Sequence, residues 1–169
     1  MARMIIGKGI DSYIEQLNRL EINTRDVLGR SIYAGADIVA DAIKENIRAL
    51  PVSNAKKRGT PENPISTVTS AQKEGLLEGF GISRMQENDG VVNVKIGFAG
   101  YNKTVSKTSK HAGWTNVHQA NSMIARSVEY GTSFRKKTPF IATAIRATKA
   151  QAEKAMADQL DKEIEKAMK

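Results

Sequence analysis

The sequence predicts an α+β domain: a small antiparallel sheet of three to four strands packed against two long helices, with extended loops and a long C-terminal helix. Three observations lead there. Val92, Val94, Ile96 and Phe98 alternate with Val91, Asn93, Lys95 and Gly97, the period of two that half-buries a strand. Over residues 24–50 and again over 138–169, apolar residues instead recur at three- and four-residue steps, as on a helix that buries one face. The stretches 51–69 and 100–120 keep neither period and read as long loops. At 169 residues and 18.5 kDa, one domain covering 1–169 is expected. A hydrophobic share of 40% with only 5% aromatics makes a thin core, of a kind that leans on partner subunits.

In chain order, residues 9–20 predict a short amphipathic helix with Asp11 as cap and Tyr13 or Ile14, Leu17 and Leu20 on one side. Asn23-Thr24-Arg25-Asp26 offers the next cap. Leu28, Ile32, Gly35, Val39, Ile43, Ile47 and Leu50 then share a face as far as Pro51, which ends the helix because the residue before proline is pushed out of the α region. Gly29 and Gly35 each cost about 1 kcal/mol in a helix relative to alanine. Close approach of another element would compensate at Gly35, while at Gly29 an exposed, tolerated glycine fits equally. Residues 51–69, with three prolines and Lys56-Lys57-Arg58, form a solvated loop. Residues 70–77 form a short helical turn beginning at Ser70. A strand over 80–86 and a strand over 91–99 pair as a hairpin about Asn88-Asp89-Gly90.

Residues 100–120 interleave Lys103, Lys107, Lys110 and His111 with Tyr101 and the single tryptophan, Trp114. Such a mixture suits stacking on single-stranded nucleic acid, or aromatic anchoring in its own domain or a neighbouring subunit. Residues 123–130 are expected as the third strand: Met123, Ala125, Val128 and Tyr130 lie among Arg126, Ser127 and Glu129, with one slip at Ile124. Gly131-Thr132-Ser133 breaks that pattern, and Phe134-Arg135-Lys136-Lys137 is a basic loop with one apolar anchor. Gly131 is expected to be left-handed or otherwise restricted, with Tyr130 and Phe140 packed together beneath the turn. Thr138 as cap and Pro139 at the first helical position start the last helix. Its thirty or so residues make a rod of about 45 Å. Beyond Ala150 this exceeds what so small a sheet covers, so the tail either projects toward a partner or folds back along the second helix.

The net charge of +8 is unevenly placed. Between Val91 and Ala150 ten Lys or Arg stand against one acidic residue, Glu129, which leaves the rest of the chain near neutral. Such asymmetry fits a surface that meets a polyanion or an acidic protein face, and it fits a solubilising loop as well. Glu129 is expected to pair with Arg126, Arg135 or a neighbouring subunit's base. No constellation for catalysis stands out, and neither enzyme activity nor a cofactor is expected. The chain has no cysteine, and its two histidines, His111 and His118, lack a third ligand at metal-site spacing. No Gly-x-Ser-x-Gly elbow or phosphate loop occurs. Asp37 and Asp41 sit four apart on one helix, where carboxylates are ordinarily just solvated. With no apolar run near ~18 residues and no secretory pattern, a soluble protein made in the cytoplasm, away from membranes, is expected.

Val128-Glu129-Tyr130-Gly131-Thr132, followed by Pro139-Phe140 and a helix, resembles the motif of a neck and tail-completion family of long-tailed bacteriophages, the tail-component or minor tail proteins. Gly9-Ile10-Asp11 through Leu20 resembles the family's opening helix, and Ala34-Gly35-Ala36-Asp37-Ile38-Val39-Ala40-Asp41 its second, so the likeness covers most of the chain through short motifs. The resemblance implies a virion structural protein of the phage neck or tail end, assembled in the host cytoplasm. It implies a homo-oligomeric ring in head–tail joining or tail completion, six-fold to match a tail tube or twelve-fold to match a portal. Its partners would be copies of itself, adjacent neck, connector or tail-tube proteins, and packaged DNA passing through the ring. Lys103, Lys107, Lys110, Arg135, Lys136 and Lys137 are the candidate interface or DNA-facing residues. The alternative class is a basic nucleic-acid-binding protein using residues 103–111 and 135–137.

Overall fold

The structure, a computed structural model, describes residues 2–5, 15, 24–54, 59–88, 90–106 and 117–167. The helix expected over 9–20 lies outside the described residues apart from Glu15, as do Lys56, Lys57, Arg58, Asp89, Lys107, Lys110, His111 and Trp114. Among the described residues are four helices, α1 (Thr24–Ala49), α2 (Ser70–Gly79), α3 (Asn121–Tyr130) and α4 (Phe140–Ala167). Six strands accompany them: β1 (Ala2–Ile5), β2 (Phe80–Ile82), β3 (Gln86–Asn88), β4 (Val91–Phe98), β5 (Tyr101–Ser106) and β6 (Val117–Ala120). The fold is α+β with a long C-terminal helix, as expected.

β4 pairs antiparallel with β1, Met4 opposite Val94, and with β3, Glu87 opposite Val92. β2 also joins β4, giving the order β1-β4-β2, while β5 and β6 form a separate antiparallel ribbon. The strands depart from expectation in four places. Residues 123–130 are not a strand but belong to α3. The buried residues are Ile124, Ala125, Val128 and Glu129, a helical spacing in which Ile124, the slip in the alternation, is a core residue. Ala, Met, Arg and Glu also favour helix intrinsically. The strand that completes the sheet is β1, four residues with too little length to register as a periodic signal. Finally, 100–120 is not one long loop: it contributes both strands of the ribbon, whose polar residues masked them. The strand expected over 80–86 is interrupted as well. The Tyr33 hydroxyl donates to the Ser83 carbonyl (3.1 Å) and accepts from the Met85 amide (2.9 Å), filling backbone positions that a ladder would otherwise occupy.

The chain divides into two compact units, residues 1–41, 82–96 and 147–169 in the first and residues 42–81 and 97–146 in the second. In the first, Ile32, Val94 and Leu160 are fully buried, each contributing about 1.5–3 kcal/mol through removal of its side chain from water. α4 folds back along α1 there rather than projecting. Ser31 Oγ donates to the Met156 carbonyl (2.7 Å), and a Cβ on Gly35 would lie 3.0 Å from the Ala152 carbonyl and 2.7 Å from Met156 Cγ. The glycine is where the two helices touch. Ala152, Met156 and Leu160 form the expected stripe on α4, and Lys149–Glu153 and Lys154–Asp158 supply i,i+4 ion pairs on its outer side. Buried Glu163 accepts from Arg30 (2.8 Å), Lys166 (3.2 Å) and Gln159 (2.8 Å).

In the second unit α2 packs on β5 and α3. Its N-terminus is a capping box: Thr69 Oγ1 accepts from the Gln72 amide (3.1 Å) and Gln72 Oε1 from the Thr69 amide (3.2 Å). The cap is thus Thr69 rather than Ser70, with Gln72 closing the reciprocal bond. The described residues of 51–69 form no helix or ladder, but Val52 and Val68 form a bridge, with Ser53 donating to the Val68 carbonyl (2.9 Å). Phe98 stands between Phe80 and Phe140, with ring centroids 5.1 and 6.1 Å away.

Candidate functional site

The residues of the family-like motif form a joint between α3 and α4. The first turn of α4, Phe140-Ile141-Ala142-Thr143, carries no acidic side chain, and the first amides of any helix have no partner within it. Glu129, on the last turn of α3 and only 4% exposed, provides one: its two carboxylate oxygens accept from the Ile141 amide (2.8 Å) and the Ala142 amide (2.9 Å). A negative group at that end also complements the helix dipole. This corrects two expectations. Glu129 is bound to backbone amides rather than to an arginine, and the cap of α4 comes from α3 rather than from Thr138. Thr138 contributes its amide, which donates to the Val128 carbonyl (2.8 Å). Pro139 immediately precedes the helix.

Between the helices the chain must turn sharply. Gly131 has φ +75° and ψ 174°, and a Cβ there would lie 3.0 Å from the Lys137 amide nitrogen and 3.1 Å from the Arg135 carbonyl. The restricted glycine expected from the sequence is therefore present, and it is restricted by space as well as by conformation. Thr132 and Arg135 exchange backbone hydrogen bonds of 2.9 and 3.2 Å, closing a turn over Ser133 and Phe134. The Ile65 amide donates to the Phe134 carbonyl (3.1 Å) and the Lys136 amide to the Ile65 carbonyl (2.8 Å), fastening the turn to the 51–69 segment.

The candidate basic residues separate. Arg135 faces inward, donating to the Thr67 carbonyl (2.7 Å) and to Gln72 Oε1 (3.3 Å), and burial pulls its guanidinium below its ordinary value. Lys136 and Lys137 are exposed. Lys103, on β5, is exposed and pairs with Glu74 at 3.3 Å. Lys107 and Lys110 lie outside the described residues.

Tyr130 does not pack beneath the turn with Phe140. Phe140 is buried against Phe98, while Tyr130 is 69% exposed. Met123, seven positions earlier and so on the same side of α3, is 72% exposed, and Phe134 in the following turn is 54% exposed. Met123 and Tyr130 were assigned inward by the alternation, and Phe134 was expected as the anchor of its loop; helical spacing, with Ile124, Ala125 and Val128 as one stripe, is the signal that separates the two sides of α3. Sequence reasoning also missed Gln72, which serves the α2 cap, Arg135 and Gln119 (3.0 Å) at once. No three His, Asp or Glu side chains converge as a metal-holding group among the described residues, and no described helix is long and apolar enough to cross a membrane. His118 Nδ1 lies 3.0 Å from the Asn102 carbonyl. No protein-family model, curated protein or solved structure matches the chain significantly.

Proposed function

We propose that this chain is a virion structural protein of the neck or tail end of a long-tailed bacteriophage, acting as the subunit of a homo-oligomeric ring. One observation supports the reading most. The stretch that resembles the family motif has its inner side fixed by the Glu129 cap and its outer side studded with Met123, Tyr130 and Phe134. Large apolar side chains clustered on a surface mark a place where another molecule docks. Here Met123 and Tyr130 sit on a helix whose inner side is held by the Glu129 cap, and Phe134 on the turn that follows it. A six-fold ring matches a tail tube and a twelve-fold ring a portal, and the neighbours would be connector or tail-tube proteins.

Native mass measurement of the purified chain, with proteomics of purified virions, tests the proposal. The expected result is a defined multiple of 18.5 kDa, or a monomer that is incorporated into virions. A strictly monomeric protein absent from virions contradicts it. Duplex binding that falls with salt at a slope near −0.9 per phosphate neutralised, without assembly, would favour a nucleic-acid-binding protein instead.

A further inference from the structure

We propose, resting on the ring reading above, that the outer face of α3 docks on the outer face of α1 around Asp37 in the next copy of the chain. The α3 face consists of Met123, Arg126 and Tyr130, all exposed. Met123 and Tyr130 lie about 10 Å apart along the axis, with the guanidinium of Arg126 between them. A face of this kind does not pair with itself about a two-fold axis, because Arg126 would then meet Arg126 of the second copy, and like charges juxtaposed in a contact oppose it. The geometry points instead to a head-to-tail contact between two different faces, the type that closes into rings.

The complementary face needs carboxylates with apolar surface between them. On α1, Asp37 and Asp41 are exposed, one turn and about 6 Å apart along the axis, and Ile38 beside them is half-buried. The opposite side of the same helix holds Ile32, Ala36, Val39 and Ile43 in the core, so the acidic side faces outward on a fixed element. Arg126 thus finds the Asp37 carboxylate, with Asp41, which already has a partner within its own chain, adding to the negative field one turn away, while Met123 and Tyr130 cover the stem of Ile38 and its small neighbours. This contact would also explain why two apolar side chains as large as Met123 and Tyr130 stay exposed in the single chain.

The test uses the full chain with Arg126→Glu, Asp37→Lys, and an equimolar mixture of the two, with mass photometry at one fixed concentration and moderate salt. Each variant alone is expected to lose assembly by about 10-fold or more. In the mixture, reversed and original charge pairs alternate around the ring, so assembly returns with both chains in equal number. Recovery cannot come from variants that fail to fold. Loss in both variants without recovery in the mixture would overturn the pairing. If the wild-type chain assembles and neither variant loses assembly, this contact falls while the ring reading stands. If the wild-type chain never assembles, the ring reading falls and takes the contact with it. Retained assembly combined with lost retention of a single-stranded oligonucleotide by Arg126→Glu would overturn the contact and assign the face to nucleic acid.

Discussion

The inner and outer faces of α3 differ in what holds them. Inward, Val128 and Ile124 are buried and Glu129 is bound to two amides of α4. Outward, Met123 and Tyr130 meet solvent over most of their surface. Both faces hold side chains that their surroundings would not be expected to favour: a buried carboxylate on one, bare apolar groups on the other. The buried carboxylate is accounted for within the chain, since a charged acceptor facing two otherwise unpartnered helix amides forms bonds of about 1.5–3 kcal/mol each. The bare apolar groups have no such account within the chain, and this asymmetry motivates a partner.

Substitutions on either side of the joint separate the roles of the two faces. The largest expected effect is from Phe140→Ala, which removes a buried ring stacked edge-on to Phe98 and should cost about 3–5 kcal/mol. Chemical denaturation would show this as a lowered midpoint. An unchanged midpoint would mean that the start of α4 is not anchored in the core.

Gly131→Val comes next. The backbone stands at φ +75° and the Lys137 and Arg135 backbones crowd the missing side chain, so strain of about 1–3 kcal/mol is expected. Equal stability for the variant would show that the turn can relax and that the joint is not rigid.

A smaller effect sharpens the inner side by contrast with a second buried carboxylate. Glu163 is held by two cations and the Gln159 side chain rather than by backbone amides: the hydrogen bond from Arg30 draws its carboxyl below the ordinary value of 4.5, with Lys166 adding to it. Its folded value is thus depressed, so this stabilisation is complete above the unfolded value and is lost as the pH falls through the folded one. Arg30 is half-exposed, which limits the pair to about 1 kcal/mol or less. The difference in melting midpoint between wild type and Arg30→Ala should be greatest at neutral pH and shrink below 4.5. A difference independent of pH would assign the effect of Arg30 to packing.

Much of the fold was legible because its signals were local. The alternation of Val92, Val94 and Ile96 marked β4, Gly90 marked its hairpin, and Pro139-Phe140 marked the start of α4. Gly35 was identifiable as a contact point because a glycine in a helix needs a compensating approach. The signals failed where exposure and burial departed from apolarity. Met123 and Tyr130 are apolar yet outside, and Glu129 is charged yet inside, so α3 imitated an alternating strand. β1 owes its place to pairing with β4, a partner about ninety residues away in sequence, which no local pattern encodes. Of the candidate site, Glu129 was conspicuous as the lone acid of a basic stretch. Its role as a cap was hidden because the amides it serves lie beyond an intervening turn. Arg135 likewise looked like one of three equivalent cations until Thr67 and Gln72 were seen to hold it.

The most direct test compares neighbours. Glu129→Ala and Tyr130→Ala differ by one position in sequence and by opposite faces in the structure. Loss of the Glu129 cap should cost about 2–4 kcal/mol, because two amides lose a charged acceptor. For a chain of this size that lowers the melting midpoint by roughly 5–15 °C. Tyr130→Ala removes a side chain already in solvent and should move the midpoint of the isolated chain by no more than about 2 °C. Equal losses for the two, or a larger loss for Tyr130→Ala, would contradict the division of α3 into a face that holds the fold and a face left for a partner.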